Sequence, residues 1–255
     1  MRAGRAAVAD GSCLWCNSGM ARTTTVDAPG SARQAGAAGP ALLSLEGIVK
    51  HWPGAPVLSG VDLRVEPGAA VAVSGRNGSG KTTLLRIASG LIAADAGTVR
   101  LAGLDAARDR TEFQRRVGFL SAGNSGLYGR LRAEHHLELW SRLALLPRGE
   151  RARAIDRAVA DFALEPLLGK RVDRLSMGQR QRLRLALAFL HGPDALLLDE
   201  PATSLDEDGL ALLGAAIESL KARGGAALVC LPTGWDALPV VDREYVLAGG
   251  GLEGA

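Results

Sequence analysis

The sequence predicts an α/β fold around a mainly parallel sheet, and three features predict it. Short apolar runs alternate with helix-length segments along most of the chain. Several of those runs lack polar alternation, as strands covered on both faces require. One of them, Ala69 to Ser74, feeds a glycine-rich loop that opens straight into a helical pattern.

Composition sets the outer limits. The 255 residues suffice for one large domain, or two small ones, with a well-buried core. Hydrophobic residues make up 47% of the chain and aromatics only 4%, so Leu, Ala, Val and Ile must build that core. A net charge of +3 is too small an excess to imply a nucleic-acid partner, and none is expected. Cys13, Cys16 and Cys230 cannot make a disulfide framework, which fits a reducing cytosol. No apolar run reaches the roughly 18 to 20 residues that cross a bilayer. The nearest, Leu183 to Leu198, is broken by Arg184 and by Gly192-Pro193-Asp194. Work at a membrane would need spans supplied by a partner.

Along the chain, residues 1–40 are rich in Ala, Gly, Ser, Thr and Arg without a sustained period and read as a disordered tail. Met20 offers an alternative start. The Cys13-Leu-Trp-Cys16 pair could be half a zinc site or a redox pair, but with no second pair beside it an incidental pairing is the better reading. Residues 41–255 carry the fold. Leu42 to Leu45 and Val61 to Val65 have the alternation of half-exposed strands, the start of an antiparallel β subdomain. Thr98 to Leu101 and Val117 to Leu120 follow as strands. Leu131 to Leu146 and Arg151 to Leu164 have helical spacing and belong to a helical subdomain, 121–192. Asp194 to Asp199 and Ala226 to Leu231 read as buried strands flanking a helix from Asp208 to Ala222, with Glu244 to Leu247 as a terminal strand.

The glycine-rich loop is the first chemical motif. Gly75-Arg76-Asn77-Gly78-Ser79-Gly80-Lys81-Thr82, continuing into Thr83, has the P-loop spacing. Such a match arises by chance in about one chain of this length in a hundred, and its strand-to-helix context removes most of that risk. The glycines let backbone N–H groups turn toward phosphate oxygens, and the helix N-terminus adds to the attraction. Lys81, one of only four lysines beside Lys50, Lys170 and Lys221, is expected on the β- and γ-phosphates. Thr82 is expected on Mg²⁺. The fold class is thereby narrowed to a P-loop NTPase core of the RecA-like kind.

Further on, Leu196-Leu197-Leu198 ends in Asp199-Glu200. Asp199 at the strand tip is placed to hold Mg²⁺, and Glu200 to polarise the attacking water as catalytic base.

A third motif is more specific. Leu175-Ser176-Met177-Gly178-Gln179 stands before the Asp199 strand, at the start of the apolar helix Gln181 to Leu190. Here the sequence resembles the ATP-binding cassette family, whose signature is LSGGQ, with Met177 in its third place. The resemblance spans roughly Ala41 to Leu252. It implies two cassettes packed head to tail, as a homodimer or heterodimer. Ser176, Gly178 and Gln179 of one would contact the γ-phosphate of the ATP held by Lys81 of the other. It also implies that Asp206 lies in an interface turn and that Trp52 stacks on adenine, although Trp52 could simply be an exposed or partly packed side chain. Arg180, Arg182 and Arg184, just beyond the signature, are expected on a solvated or interface helix face.

Two residues that the family pattern leads one to expect are missing. Ala122 stands where a Gln touches Mg²⁺, with Ser121 or Asn124 as poor substitutes, and Pro232 stands where a His contacts the γ-phosphate. His51, His135, His136 and His191 do not align with that place. The resemblance implies the ATP-binding and ATP-hydrolysing subunit of an ABC transporter, peripheral at the cytoplasmic face of the membrane. ATP and Mg²⁺ would be its cofactors and an integral membrane permease its partner, with export the favoured direction. A slow, regulatory or soluble ATPase is the alternative.

Overall fold

The computed structural model describes residues 41–123, 126–234 and 238–254, which belong to one compact unit. The readings placed on Cys13, Cys16, Met20 and Asn124 lie outside the described residues. Two sheets share the core. Strands β1 (Leu43–Trp52) and β2 (Ala55–Val65) form a hairpin closed by Pro53-Gly54, where Gly54 takes φ 97°. With β4 (Ala96–Leu101) and β5 (Leu104–Asp105) they make an antiparallel sheet of order β2-β1-β4-β5. The alternation read at 42–45 and 61–65 is realised in burial: Leu43, Leu45, Leu63 and Val65 point inward.

The second sheet has the order β10-β9-β3-β8-β7-β6. Its members are β3 (Ala70–Gly75), β6 (Val117–Leu120), β7 (Ala195–Asp199), β8 (Ala226–Pro232), β9 (Arg243–Ala248) and β10 (Gly251–Gly254). Every pairing from β9 across to β6 is parallel, and only β10 runs antiparallel to its neighbour. Apolar runs without alternation fit this placement, because both faces of the sheet are covered. One face, through Val71, Val73, Leu197 and Leu228, packs with the antiparallel sheet and helix α1 (Lys81–Ala88). The other, through Ala72, Leu196, Leu198 and Val229, packs with helices α5 (Met177–Phe189) and α6 (Glu207–Ala222). Helices α3 (Ala133–Leu143) and α4 (Arg148–Asp161) extend that second core. No helix among the described residues is long and apolar enough to cross a membrane.

The parallel register decides what meets at the carboxyl end of the sheet. Gly75 lies beside Pro232, Asp199 beside Cys230, and Leu120 beside Leu198. The P-loop, the Asp199-Glu200 pair, Pro232 and Ser121 thus leave neighbouring strands on one edge, where open α/β sheets gather ligands.

Sequence and structure differ at short or capped elements. Helix α2 (Arg110–Arg115), β5 and β10 carry too few residues to show a period. Helix α5 begins at Met177, four residues before the predicted Gln181, because Ser176 and Gln179 close a reciprocal capping box. Strand β7 is broken at Glu200, whose φ is 50°, one residue ahead of Pro201. The arginine face expected to be solvated or at an interface is corrected at Arg184, which is buried within the chain on α5.

Candidate functional site

The P-loop wraps a cleft of about 400 Å³ lined by Trp52, Val57, Asn77, Gly78, Gly80, Lys81, Thr82, Thr83 and Glu200. Gly78 and Gly80 hold φ values of 84° and 107°, which L side chains rarely adopt. A Cβ on Gly80 would also stand 2.9 Å from Val57 Cγ1, so the loop is shaped for bare backbone. Lys81 is buried, and its ammonium donates to the carbonyls of Gly75 at 2.6 Å and Arg76 at 3.2 Å. The Ser79 hydroxyl is buried without a hydrogen-bond partner among the described residues. A cradle with a buried cation and an unpaired hydroxyl fits a polyphosphate, whose oxygens supply the acceptors that such groups need.

Asp199 is buried at the end of β7 and accepts a 2.7 Å hydrogen bond from Thr82 Oγ1. Hydroxyl and carboxylate oxygens side by side suit a hard divalent cation, so these two residues fit Mg²⁺. Glu200 borders the cleft, and its N–H donates to the Cys230 carbonyl at 2.9 Å. Its left-handed backbone is an uncommon conformation for a residue with a side chain, as found where a structure fixes a functional group. Behind α1, burial holds the Cys230 thiol well up and the nearby Asp199 carboxylate pushes the same way, so Cys230 is inert filling.

Trp52 is 46% exposed at the tip of the β1–β2 hairpin, on the wall of the cleft. Its position rests on Asp95, a residue that no motif singles out. Asp95 accepts from Lys50 Nζ at 2.7 Å and from the His51 N–H at 2.6 Å, while the Lys50 ammonium sits 5.2 Å from the Trp52 ring centroid. The Lys50 hydrogen bond, then that of His51, draws the Asp95 carboxyl down to about 2.

The signature residues open α5. Ser176 Oγ accepts from the Gln179 N–H at 3.2 Å, and Gln179 Oε1 accepts from the Ser176 N–H at 3.1 Å. Met177 is 49% exposed. A Cβ on Gly178 would lie 2.9 Å from the Ser204 carbonyl, which fixes this turn against the segment after Glu200. Asp206 caps α6, its Oδ1 accepting from the Gly209 N–H at 2.9 Å.

Trp52, Asn77, Gly78, Gly80, Lys81, Thr82, Thr83 and Glu200 therefore line one cleft, with Asp199 joined to it through Thr82, whereas Gly75, Arg76, Ser79, Ser176, Gly178, Gln179 and Asp206 do not line it. Ser121 follows β6 directly, and Ala122 and Pro232 bring no polar side chain there. Of the histidines, His136 is buried. Its Nε2 accepts from the Tyr128 N–H at 2.9 Å and its Nδ1 donates to the Arg132 carbonyl at 3.0 Å, while the neighbouring His135 is exposed.

A glycine-rich loop after one parallel strand, with Thr82 of α1 hydrogen-bonded to Asp199 at the tip of another, has the form of a P-loop nucleotide-binding site. Residues 58–203 match the family model described as ABC transporter. A cytochrome c biogenesis ATP-binding export protein of Xanthomonas axonopodis pv. citri is 36% identical over 82% of this chain and 94% of its own. The chain belongs to the ABC transporter family and carries the motifs of that family's ATP-binding cassette. An ABC transporter ATP-binding protein of Bacillus subtilis is 35% identical over 63% of this chain and 65% of its own, so the chain spans about two thirds of that relative's length. An aliphatic sulfonates import ATP-binding protein of Cupriavidus necator is 38% identical over 84% and 68%. The solved structure of an ATP-binding subunit of an ABC transporter superposes with a TM-score of 0.76 at 26% identity, covering 83% of this chain and 88% of that one.

Proposed function

We propose that this chain binds and hydrolyses ATP as the cassette subunit of an ABC transporter, pairing with a second cassette and driving a separate membrane permease. The observation that carries this reading is the contact between Thr82 and Asp199 beside buried Lys81, with Glu200 on the same cleft. In this reading Lys81 and the P-loop N–H groups hold the β- and γ-phosphates, and Trp52 receives the adenine. Thr82 and Asp199 would hold Mg²⁺, which offsets phosphate charge when bound. The Glu200 carboxylate takes the proton of the attacking water.

Ser176, Gly178 and Gln179 stand apart from the cleft of their own chain and offer a helix N-terminus to an anion held by another. The cassette is assigned to residues 41–255, with 121–192 as its helical subdomain. Export is the favoured direction, on the likeness to a cytochrome c biogenesis ATP-binding export protein that is matched over 94% of its own length. The chain would then sit at the cytoplasmic face of the membrane.

One observation favours a slow enzyme as the second reading. Ala122 and Pro232 occupy the two strand-end positions from which a Gln and a His would be expected to reach the phosphate and its metal. Steady-state hydrolysis decides, measured for wild type beside Lys81→Ala and Glu200→Gln together with light scattering. Turnover lost in both variants, with an ATP-dependent dimer in Glu200→Gln, is expected. Turnover that persists in both would sink the assignment.

A further inference from the structure

The arginines after the signature have no task in the reading above, and burial singles out Arg184. Arg184 and Gln181 lie one turn apart on α5, and both are buried. Gln181 Nε2 donates to the Pro201 carbonyl at 2.8 Å, and Gln181 Oε1 accepts from Arg184 Nη1 at 2.7 Å. Arg184 Nη2 donates to the Ser121 carbonyl at 2.5 Å, with Ser121 Oγ at 3.4 Å. Pro201 follows Glu200, and Ser121 precedes Ala122. One side-chain pair therefore ties the outlets of β6 and β7 to the helix whose N-terminus carries the signature.

The order of the atoms follows from their chemistry. A guanidinium only donates, so it fixes the Gln181 amide with oxygen toward Arg184 and N–H toward Pro201. A rigid planar fork can serve Gln181 and Ser121 at once, which a lysine's single ammonium does less well. Burial lowers the Arg184 pKa, the mark of a charge that water does not solvate freely. In such surroundings a broken link is costly, so the pair acts as a stiff strut.

The geometry points to Arg184, acting through Gln181, as a positioning residue that couples the Ser121–Ala122 loop to the backbone carrying Glu200. This rests on the ATPase reading above. In this chain the strut supplies from the signature helix a mechanical link between that loop and the catalytic edge, where Ala122 can offer none through its side chain. A push on the Ser121 loop is felt at Pro201, and the carboxylate of Glu200 shifts with its own backbone.

Two substitutions cut the strut at different ends. Arg184→Met removes the fork at similar length. Gln181→Glu keeps an acceptor for Arg184 but loses the donor to Pro201. Both are expected to lower kcat about 10- to 100-fold through misplacement of Glu200. KM should stay within about twofold, as should the Kd for Mg-ATP read in the Glu200→Gln background. Hydrogen exchange should quicken at the Thr203 and Leu205 amides, which bond to the Glu200 and Ala202 carbonyls at 3.3 and 3.1 Å. Unchanged kcat, or a KM that rises in step with the fall in kcat, overturns the proposal. If Arg184→Met does not fold, Gln181→Glu makes the same test alone. If wild type hydrolyses nothing, the ATPase reading fails, and the exchange rates alone decide the strut: unaltered exchange at Thr203 and Leu205 overturns it.

Discussion

In the proposed reading, Glu200 concentrates the chemistry of the cleft in one carboxylate on an unusual backbone. Its φ of 50° turns the chain sharply out of β7, and the hydrogen bond from its N–H to Cys230 pins that turn to the next strand. Glu200→Gln keeps size and backbone but removes the proposed proton acceptor. Turnover should fall about 10²- to 10⁴-fold, the usual contribution of a general base, while equilibrium titration finds Mg-ATP binding retained. Lys81 differs in kind. It already holds the Gly75 and Arg76 carbonyls, so Lys81→Ala removes the charge proposed for phosphate and two loop contacts together. Nucleotide binding itself should weaken, visible as a loss of ATP-induced thermal stabilisation. These two residues are legible in the sequence because their motifs are contiguous. The Asp95 bracket around Lys50 and His51 is not, because its members are 44 and 45 positions apart and only the β1–β4 pairing brings them together.

Helix α5 shows how an element can be half legible. Its apolar run is plain, but its first turn escapes the sequence reading although Ser176-x-x-Gln179 is the capping-box pattern. Its buried polar pair escapes too, because Arg184 reads with Arg180 and Arg182 as a solvated or interface face and Gln181 only as the start of the apolar run. A helical period would have placed both on the side of Ala188, which is buried. The cap has a measurable worth. Ser176→Ala deletes the acceptor for the Gln179 N–H and should cost about 1 kcal/mol of stability in urea denaturation. Gly178→Ala acts on geometry instead, since its Cβ would press to 2.9 Å from the Ser204 carbonyl. The signature turn must then shift against the segment after Glu200. ATP-dependent pairing in the Glu200→Gln background should be lost, as read by light scattering, while each chain still binds nucleotide.

At the scale of the whole molecule, the parallel sheet is legible because strands buried on both faces write continuous apolar runs. The convergence of their outlets on one edge is not, because strand order is a tertiary fact that no single window contains. That packing also leaves two histidines in partly dry surroundings, which makes stability depend on pH in a definite direction. Burial lowers the pKa of both His136 and His191 below the ordinary 6.5, against smaller opposing hydrogen bonds to Arg132 and Val117. Well above pH 6.5 both side chains are neutral whether the chain is folded or not, and they cost nothing. As pH falls from there, the unfolded chain takes up protons that the native one refuses, so stability must drop until the lowered native pKa values are passed. Carboxylates titrate mostly below about 4.5, so the interval down to about pH 5 isolates the histidines. The urea midpoint should decline across that interval and be flat above it. In His136→Gln, where an uncharged amide can still accept from the Tyr128 N–H and donate to the Arg132 carbonyl, the decline should shrink to the share of His191. A midpoint that rises on acidification would mean that these rings gain, rather than lose, from being charged inside the fold.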